Sequence, residues 1–418
     1  MRAYDGHLLT LVAVLDDVRR HGETARAEIM ARTGLGRTLV TQRIADLQEL
    51  GLVSAGDLGA STGGRAPRNV RFRPDTGRVL AADLGATGVD VALADLAGTL
   101  LAHRREDVEV TAGPESVLGS IGKLFDDVLA ESDDRQPVWG VGVGVPGPVE
   151  FGSGRVVAPP IMPGWADYPI REYFAERYHA PTWVDNDVNV LMLGELRAGA
   201  ARGHSNAILV KLATGIGAGI VVDGRLCRGA QGSAGDVGHT QARRDSTVAC
   251  RCGKVGCLEA LAGGLAMARE GMGLAAAGNE MLARRLQERG KLDAADVLWA
   301  AARGDQASVE LVGRCGVLIG EMLSTAVHFF NPALIVLGGR VAAASDVLLA
   351  TIRQTVYAQS LPFATRRLEI KGAELGADGG VIGVATMVVD ELLSPGRLSA
   401  WIPAGSPAGA ADIAAQPG

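Results

Sequence analysis

One histidine and three cysteines fall within nineteen residues of this chain, spaced His239-x10-Cys250-x-Cys252-x4-Cys257. With only five cysteines and seven histidines in all, the clustering points to chemistry rather than composition. Three soft thiolates and one imidazole form a closed four-coordinate set suited to structural Zn2+. Gly253 and Gly256 let the chain double back so that Cys250, Cys252 and Cys257 reach one ion. A closed site leaves no position for metal-bound water, so such a metal positions its surroundings and does not catalyse. Its polar neighbours are Asp236 in "AGDVGH" and Glu259 in "GCLE". Two carboxylates and the His239 ring, held at fixed places, suit the hydroxyls of a sugar. Cys227 and Cys315 lie outside the set and read as small core residues. An odd number of thiols, mostly in one cluster, is not a disulfide framework.

The scaffold that holds this loop reads as α/β. The stretches "VLAADLGATGVDVALADLAGTLLAHRRE" (79–106) and "AILVKLATGIGAGIVVDGRLCRGA" (207–230) share one design: apolar strand, Gly/Thr-rich turn, apolar strand. Two such hairpins about 130 residues apart predict a duplicated, two-lobed domain over residues 77–393. Further strands are expected at "WGVGVGVPGPV" (139–149) and "NPALIVLGGRV" (331–341), and helices over 281–330. After Leu393 the composition turns to Pro, Ala, Gly and Ser, which predicts a disordered tail over 394–418. No run approaches the roughly 18 apolar residues of a membrane span, and Asp5, Asp16 and Asp17 are foreign to a signal peptide. A cytoplasmic protein without membrane contact is expected.

Residues 1–76 differ in charge. They hold eleven Arg and nine acids, hence +2, whereas the whole chain is −6 and the remainder therefore −8. "RAEIMARTGLGRTLVTQRIADLQELGLV" (26–53) reads as helix, turn at Gly34, helix, with Val40, Ile44 and Leu47 marking the buried face of the second helix. The opposite face presents Arg37, Thr38, Thr41 and Gln42, types that hydrogen-bond phosphates and base edges. A glycine-rich hairpin follows with Arg65, Arg68, Arg71 and Arg73 in nine residues. The pattern predicts a winged helix-turn-helix that binds DNA, with Arg65 on the phosphate backbone.

The segments "GVGVPGPV", "PPIMPGW", "VDNDVNVLMLGE", "ATGIGAGIVVDG", "AGDVGHT", "CRCGKVGCLEALAGG" and "NPALIVLGGRV" occur in this order over about residues 79–393. In this the chain resembles the ROK (repressor, open reading frame, kinase) family, and its N-terminal module resembles the transcriptional-regulator branch that includes xylose and N-acetylglucosamine repressors. The resemblance implies an actin-like, ribonuclease-H-like fold with sugar bound between two lobes. It implies that Asn186 and Asp187 face the sugar, Asp187 being the general base in kinase relatives, and that Asp236, His239 and Glu259 contact sugar hydroxyls. It also implies phosphate-facing turns at Asp83, Gly85 and Thr87, at Thr214, Gly215 and Gly217, and at Gly338 and Gly339.

Three departures bear on function. Where kinases read like "DIGGTK", this chain reads "DLGATG" (83–88), with Ala86 for Gly and Gly88 for Lys. Ala213 stands before Thr214 where Gly is usual, and Asp236 replaces a glutamate. The first two weigh against use of ATP and Mg2+. Two readings therefore stand: a homodimeric, sugar-responsive repressor of operator DNA, or an ATP-dependent kinase of a hexose or N-acetylhexosamine.

Overall fold

The computed structural model describes residues 6–58, 68–132 and 136–415. Helices α1 (Gly6–His21), α2 (Arg26–Thr33) and α3 (Arg37–Glu49) come first, followed by an antiparallel pair, β1 (Val53–Leu58) and β2 (Arg68–Phe72). Gly34 ends α2 in the left-handed conformation, φ 70°, as the turn requires. Val40, Ile44 and Leu47 are buried as their spacing predicts.

The first lobe is built from β3 (Arg78–Leu84), β4 (Val89–Asp95), β5 (Leu100–Glu106), α4 (Pro114–Glu131) and β6 (Val138–Val145). A short hairpin, β7 (Val149–Glu150) and β8 (Arg155–Val156), precedes α5 (Ile170–Tyr178), β9 (Thr182–Asn186) and α6 (Asp187–Ala198). The second lobe opens with β10 (Ala207–Leu212), β11 (Ile216–Val222) and β12 (Arg225–Leu226). Helices α7 (Leu258–Ala262), α8 (Gly264–Ala276), α9 (Glu280–Arg289), α10 (Ala294–Ala302) and α11 (Gln306–Phe330) follow. The remainder is β13 (Leu334–Gly338), α12 (Arg340–Ala343), α13 (Asp346–Gln359), α14 (Pro362–Thr365), β14 (Glu369–Gly372), α15 (Gly379–Leu392) and α16 (Pro395–Trp401).

The sheet orders are β5-β4-β3-β6-β9 and β12-β11-β10-β13-β14. Each is an antiparallel meander extended by two parallel strands, so one connectivity occurs twice, and the fold is the duplicated actin-like one. The strands are apolar on both faces because both faces are covered. Leu80, Ala82 and Leu84 pack outward under α4 and α5, while Val79 and Ala81 face α15. In the second sheet, Val210 and Leu212 lie under α11 and α13, while Ala207 and Leu209 face α6. Helices α6 and α15 are thus the two inner layers, and they cross backbone to backbone. A Cβ on Gly383 would stand 1.6 Å from the Val190 carbonyl oxygen, so no larger residue fits this crossing.

The tail expected to be disordered is ordered through Ala415. Trp401 at the end of α16 is fully buried, stacks obliquely on Trp139 at 5.4 Å and donates its indole N–H to the Leu392 carbonyl at 2.9 Å. Ile413 and Ala414 are buried beside it. These few apolar residues pin a segment whose composition is otherwise that of a linker. The cluster they join runs without a break from α1–α3 to Val384, Val388 and Leu392 of α15.

Candidate metal centre and binding cleft

The loop between β12 and α7 carries the four candidate ligands. Bridges Gln241↔Cys257 and Ala249↔Val255 fold it back on itself. At the turn, the Gly253 N–H donates to the Cys250 carbonyl at 3.0 Å and the Cys250 N–H to the Lys254 carbonyl at 2.7 Å. His239 Nδ1 lies 3.6 Å from Cys250 Sγ, Cys252 Sγ lies 3.7 Å from Cys257 Sγ, and all four donor atoms fall within 4.8 Å of one another. A zinc tetrahedron with Zn–S of about 2.3 Å and Zn–N of about 2.0 Å has edges of about 3.8 Å between sulfurs and about 3.6 Å between sulfur and nitrogen. The donor set therefore fits a zinc-sized ion. Burial raises the Cys250 thiol and pushes Cys257 up to about 12, while at Cys252 burial is outweighed by hydrogen bonds, the Lys254 N–H first, which lower it; a dication would be needed to hold Cys250 and Cys257 as thiolates.

The same loop lines a cleft of about 450 Å3 between the lobes. Asp236, His239 and Glu259 all reach this cleft. Glu259 follows Cys257 in the first turn of α7, and its Oε2 accepts the Ile216 N–H at 3.0 Å, which ties the metal loop to the β10–β11 turn. Burial raises the Asp236 carboxyl, and the nearby His239 opposes the rise.

The facing wall is the junction of β9 and α6. Asn186 caps α6, its Oδ1 accepting the Val188 N–H at 2.9 Å while its Nδ2 donates to the Gly147 carbonyl at 2.9 Å. Asp187 Oδ2 accepts from Lys211 Nζ at 2.8 Å. Sequence reasoning missed Lys211. Its only signal was a lone cation in the apolar run "AILVKL". Asp83, at the end of β3, faces the same cluster. Burial pushes its carboxyl up to about 6, with Lys211 opposing and Asp187 and Asp90 reinforcing the rise.

Asp83, Gly85, Thr87, Thr214, Gly215, Gly217, Gly338 and Gly339 line this one cleft too. Gly339 has φ 88°, and a Cβ there would meet the Leu212 carbonyl oxygen at 2.4 Å. Across the lobes, Arg340 Nη2 donates to Thr87 Oγ1 at 3.1 Å. Near the place a Gly88 Cβ would take lie the Glu106 carbonyl oxygen at 3.4 Å, Asp107 Oδ1 at 3.8 Å and Arg105 Nη2 from β5 at 4.0 Å, the arginine being paired with Asp90 at 3.6 Å.

Arg37, Thr38, Thr41 and Gln42 are exposed on α3. Arg65 lies outside the described residues. The basic stretch after it is partly neutralised: Arg71 pairs with Glu23 at 2.6 Å and Arg73 with Asp75 at 3.2 Å.

Comparison with known proteins extends these observations. A glucokinase of Halalkalibacterium halodurans is 32% identical over 308 residues, 73% of this chain and 93% of that one. A xylose repressor of Caldicellulosiruptor bescii is 27% identical over 392 residues, 93% of this chain and 96% of the other. The crystal structure of a ROK family transcriptional regulator, a homologue of the Escherichia coli MLC protein, matches 94% of this chain with a TM-score of 0.80 at 24% identity and 98% coverage of its own length. Residues 79–391 match the ROK family throughout, and the chain belongs to that family.

Proposed function

We propose that this chain is a sugar-responsive transcriptional repressor, a cytoplasmic homodimer that holds operator DNA through residues 1–76 and releases it when a sugar closes the cleft of residues 77–393. The observation that carries this reading is coverage. Likeness to the xylose repressor runs through 93% of the chain, so it takes in the N-terminal module, whereas likeness to the glucokinase covers 73%. Helix α3 supports it, with Arg37, Thr38, Thr41 and Gln42 free to enter a major groove. Asn186, Asp187, Asp236, His239 and Glu259 would bind the sugar. Structural Zn2+ on His239, Cys250, Cys252 and Cys257 would fix the last three of the sugar ligands in place.

A second reading, a hexose or N-acetylhexosamine kinase using ATP and Mg2+, is favoured by Asp187 in the cleft and by the Arg105 guanidinium near Gly88. Against it, one Asp187 oxygen is already bonded to Lys211. Footprinting on the chain's own upstream region, with xylose, glucose and N-acetylglucosamine added in turn, tests the first reading. A footprint that persists after deletion of residues 1–76 overturns it. ATP turnover with the same sugars, abolished by Asp187→Asn, would establish the second.

A further inference from the structure

Lys211 sits on β10, the central strand of the second sheet, yet its ammonium reaches the first residue of α6. Its register partners on either side are Gly217 of β11 and Gly338 of β13. Paired residues point to one face of a sheet, so two missing side chains clear a lane for the lysine stem. Added Cβ atoms at these glycines would point at Val188 and Leu191 of α6, which is the direction Lys211 takes to Asp187. The ammonium is largely buried, with 17% of the side chain exposed. Desolvation disfavours the charged ammonium, but Asp187 and Asp83 together outweigh that penalty and the opposing Arg340 and favour the protonated form. Among the described residues Asp83 Oδ1 has no hydrogen-bond partner, and Lys211 favours its charged form only through space.

We propose that Lys211 is a resident cation of the cleft, a positioning residue that satisfies Asp187 and Asp83 where a divalent ion would otherwise be drawn. One oxygen of Asp187 is spent on the ammonium, and the other stays free to accept a ligand hydroxyl. The cleft thus binds a hydroxylated ligand without metal–nucleotide, and Asp187 is an acceptor rather than a base. This inference rests on the proposed sugar cleft but not on DNA binding, and would stand if the chain bound no DNA.

Removing the ammonium leaves Asp187 and Asp83, two carboxylates that line one cleft, without the cation between the lobes that both feel. Such a pair recruits a hard cation through its oxygens. The probe is Mn2+ alone, followed by electron paramagnetic resonance on the full chain. Lys211→Met is expected to bind Mn2+ at least ~10-fold more tightly than the unsubstituted protein, since a unit charge a few ångströms away is removed. The added Asp187→Asn substitution should abolish that gain, and Lys211→Arg, which keeps the charge, should show none. Equal Mn2+ binding by folded Lys211→Met and the unsubstituted chain overturns the proposal, as does a gain in Lys211→Arg. Should Lys211→Met not fold, the unsubstituted protein decides: Mn2+ binding that Asp187→Asn removes means that Lys211 does not satisfy the pair, and its absence upholds the assignment.

Discussion

Replacing Cys252 by Ser tests whether a metal organises the cleft. The loop it belongs to has little apolar support of its own: among the described residues, Cys250, Cys257 and Ala260 form a small buried cluster with Val248 and Cys252 packed against it. Its internal backbone bonds are few, among them Gly256 N–H to the Val248 carbonyl at 2.9 Å and Ala242 N–H to the Gly256 carbonyl at 2.8 Å. Each contributes about 1 kcal/mol net. A structural zinc contributes about 10–16 kcal/mol in small metal-folded domains, so the ion would outweigh those bonds together. Without it the loop should open while the lobes, which have separate cores, stay folded. Hydrogen exchange should show lost protection over residues 240–256 and unchanged protection in β10 and β13. The cleft would lose two fixed groups: Glu259, worth about 1.5–3 kcal/mol as a charged hydrogen-bonding partner, and the His239 ring, worth about 0.5–1.5 kcal/mol. Sugar affinity should then fall at least ~30-fold, a loss of about 2 kcal/mol or more. A metal-free Cys252→Ser protein with intact loop protection and unchanged sugar affinity would refute the reasoning.

Other outcomes follow from particular residues. Arg37→Ala or Gln42→Ala should weaken operator binding by about 1–3 kcal/mol and relax base preference, whereas Arg65→Ala should weaken all sequences alike and flatten the salt dependence; gel shifts across a salt series separate the two. Trp401→Ala should cost about 3–5 kcal/mol in urea unfolding, because it empties a fully buried site; a cost below about 1 kcal/mol would mean the tail does not brace the core. Asp83 holds its proton more tightly folded than unfolded, with a folded value of about 6, so its stabilising effect is present below about pH 4 and is lost as pH rises through 6. Asp83→Asn should therefore be more stable than the unsubstituted chain at pH 8, by up to about 3 kcal/mol, and equal to it near pH 3.5; thermal melts at the two pH values check this.

Most of the fold was legible because it rests on local patterns. Each lobe's hairpin announces itself by an apolar run, a Gly/Thr turn and a second apolar run, and the repeat at 79–106 and 207–230 foreshadowed the two sheets of identical connectivity. The clustering of His239 with three cysteines was legible for the same reason, since three of the four lie within eight residues. What stayed hidden depends on contacts distant in sequence. Glu23, which neutralises Arg71, is 48 residues away. Arg105 approaches Gly88 only because of the β4–β5 register, which pairs it with Asp90. The tail was misread because composition counts residues equally, whereas burial of Trp401 and Ile413 decides its order.

The unbroken core between the N-terminal helices and α15 also bears on how the cleft could speak to DNA. Helix α15 touches both ends: a Cβ on Gly380 would stand 1.9 Å from Asp83 Oδ2, and Asp390 accepts from Arg19 of α1 at 2.8 Å. Couplings of this kind are worth about 1–3 kcal/mol. The Arg19–Asp390 pair is a poor carrier, because 54% of the Asp390 side chain is exposed and such pairs contribute about 0–1 kcal/mol. The apolar contact is the better candidate: Leu11, Val14, Leu15 and Val18 of α1 share one buried cluster with Val388 and Leu392 of α15. Close-packed interiors shift as units rather than deform. A movement of α15 that follows the cleft would therefore pass to α1 through packing, and to α3 beside it, even with the ion pair removed.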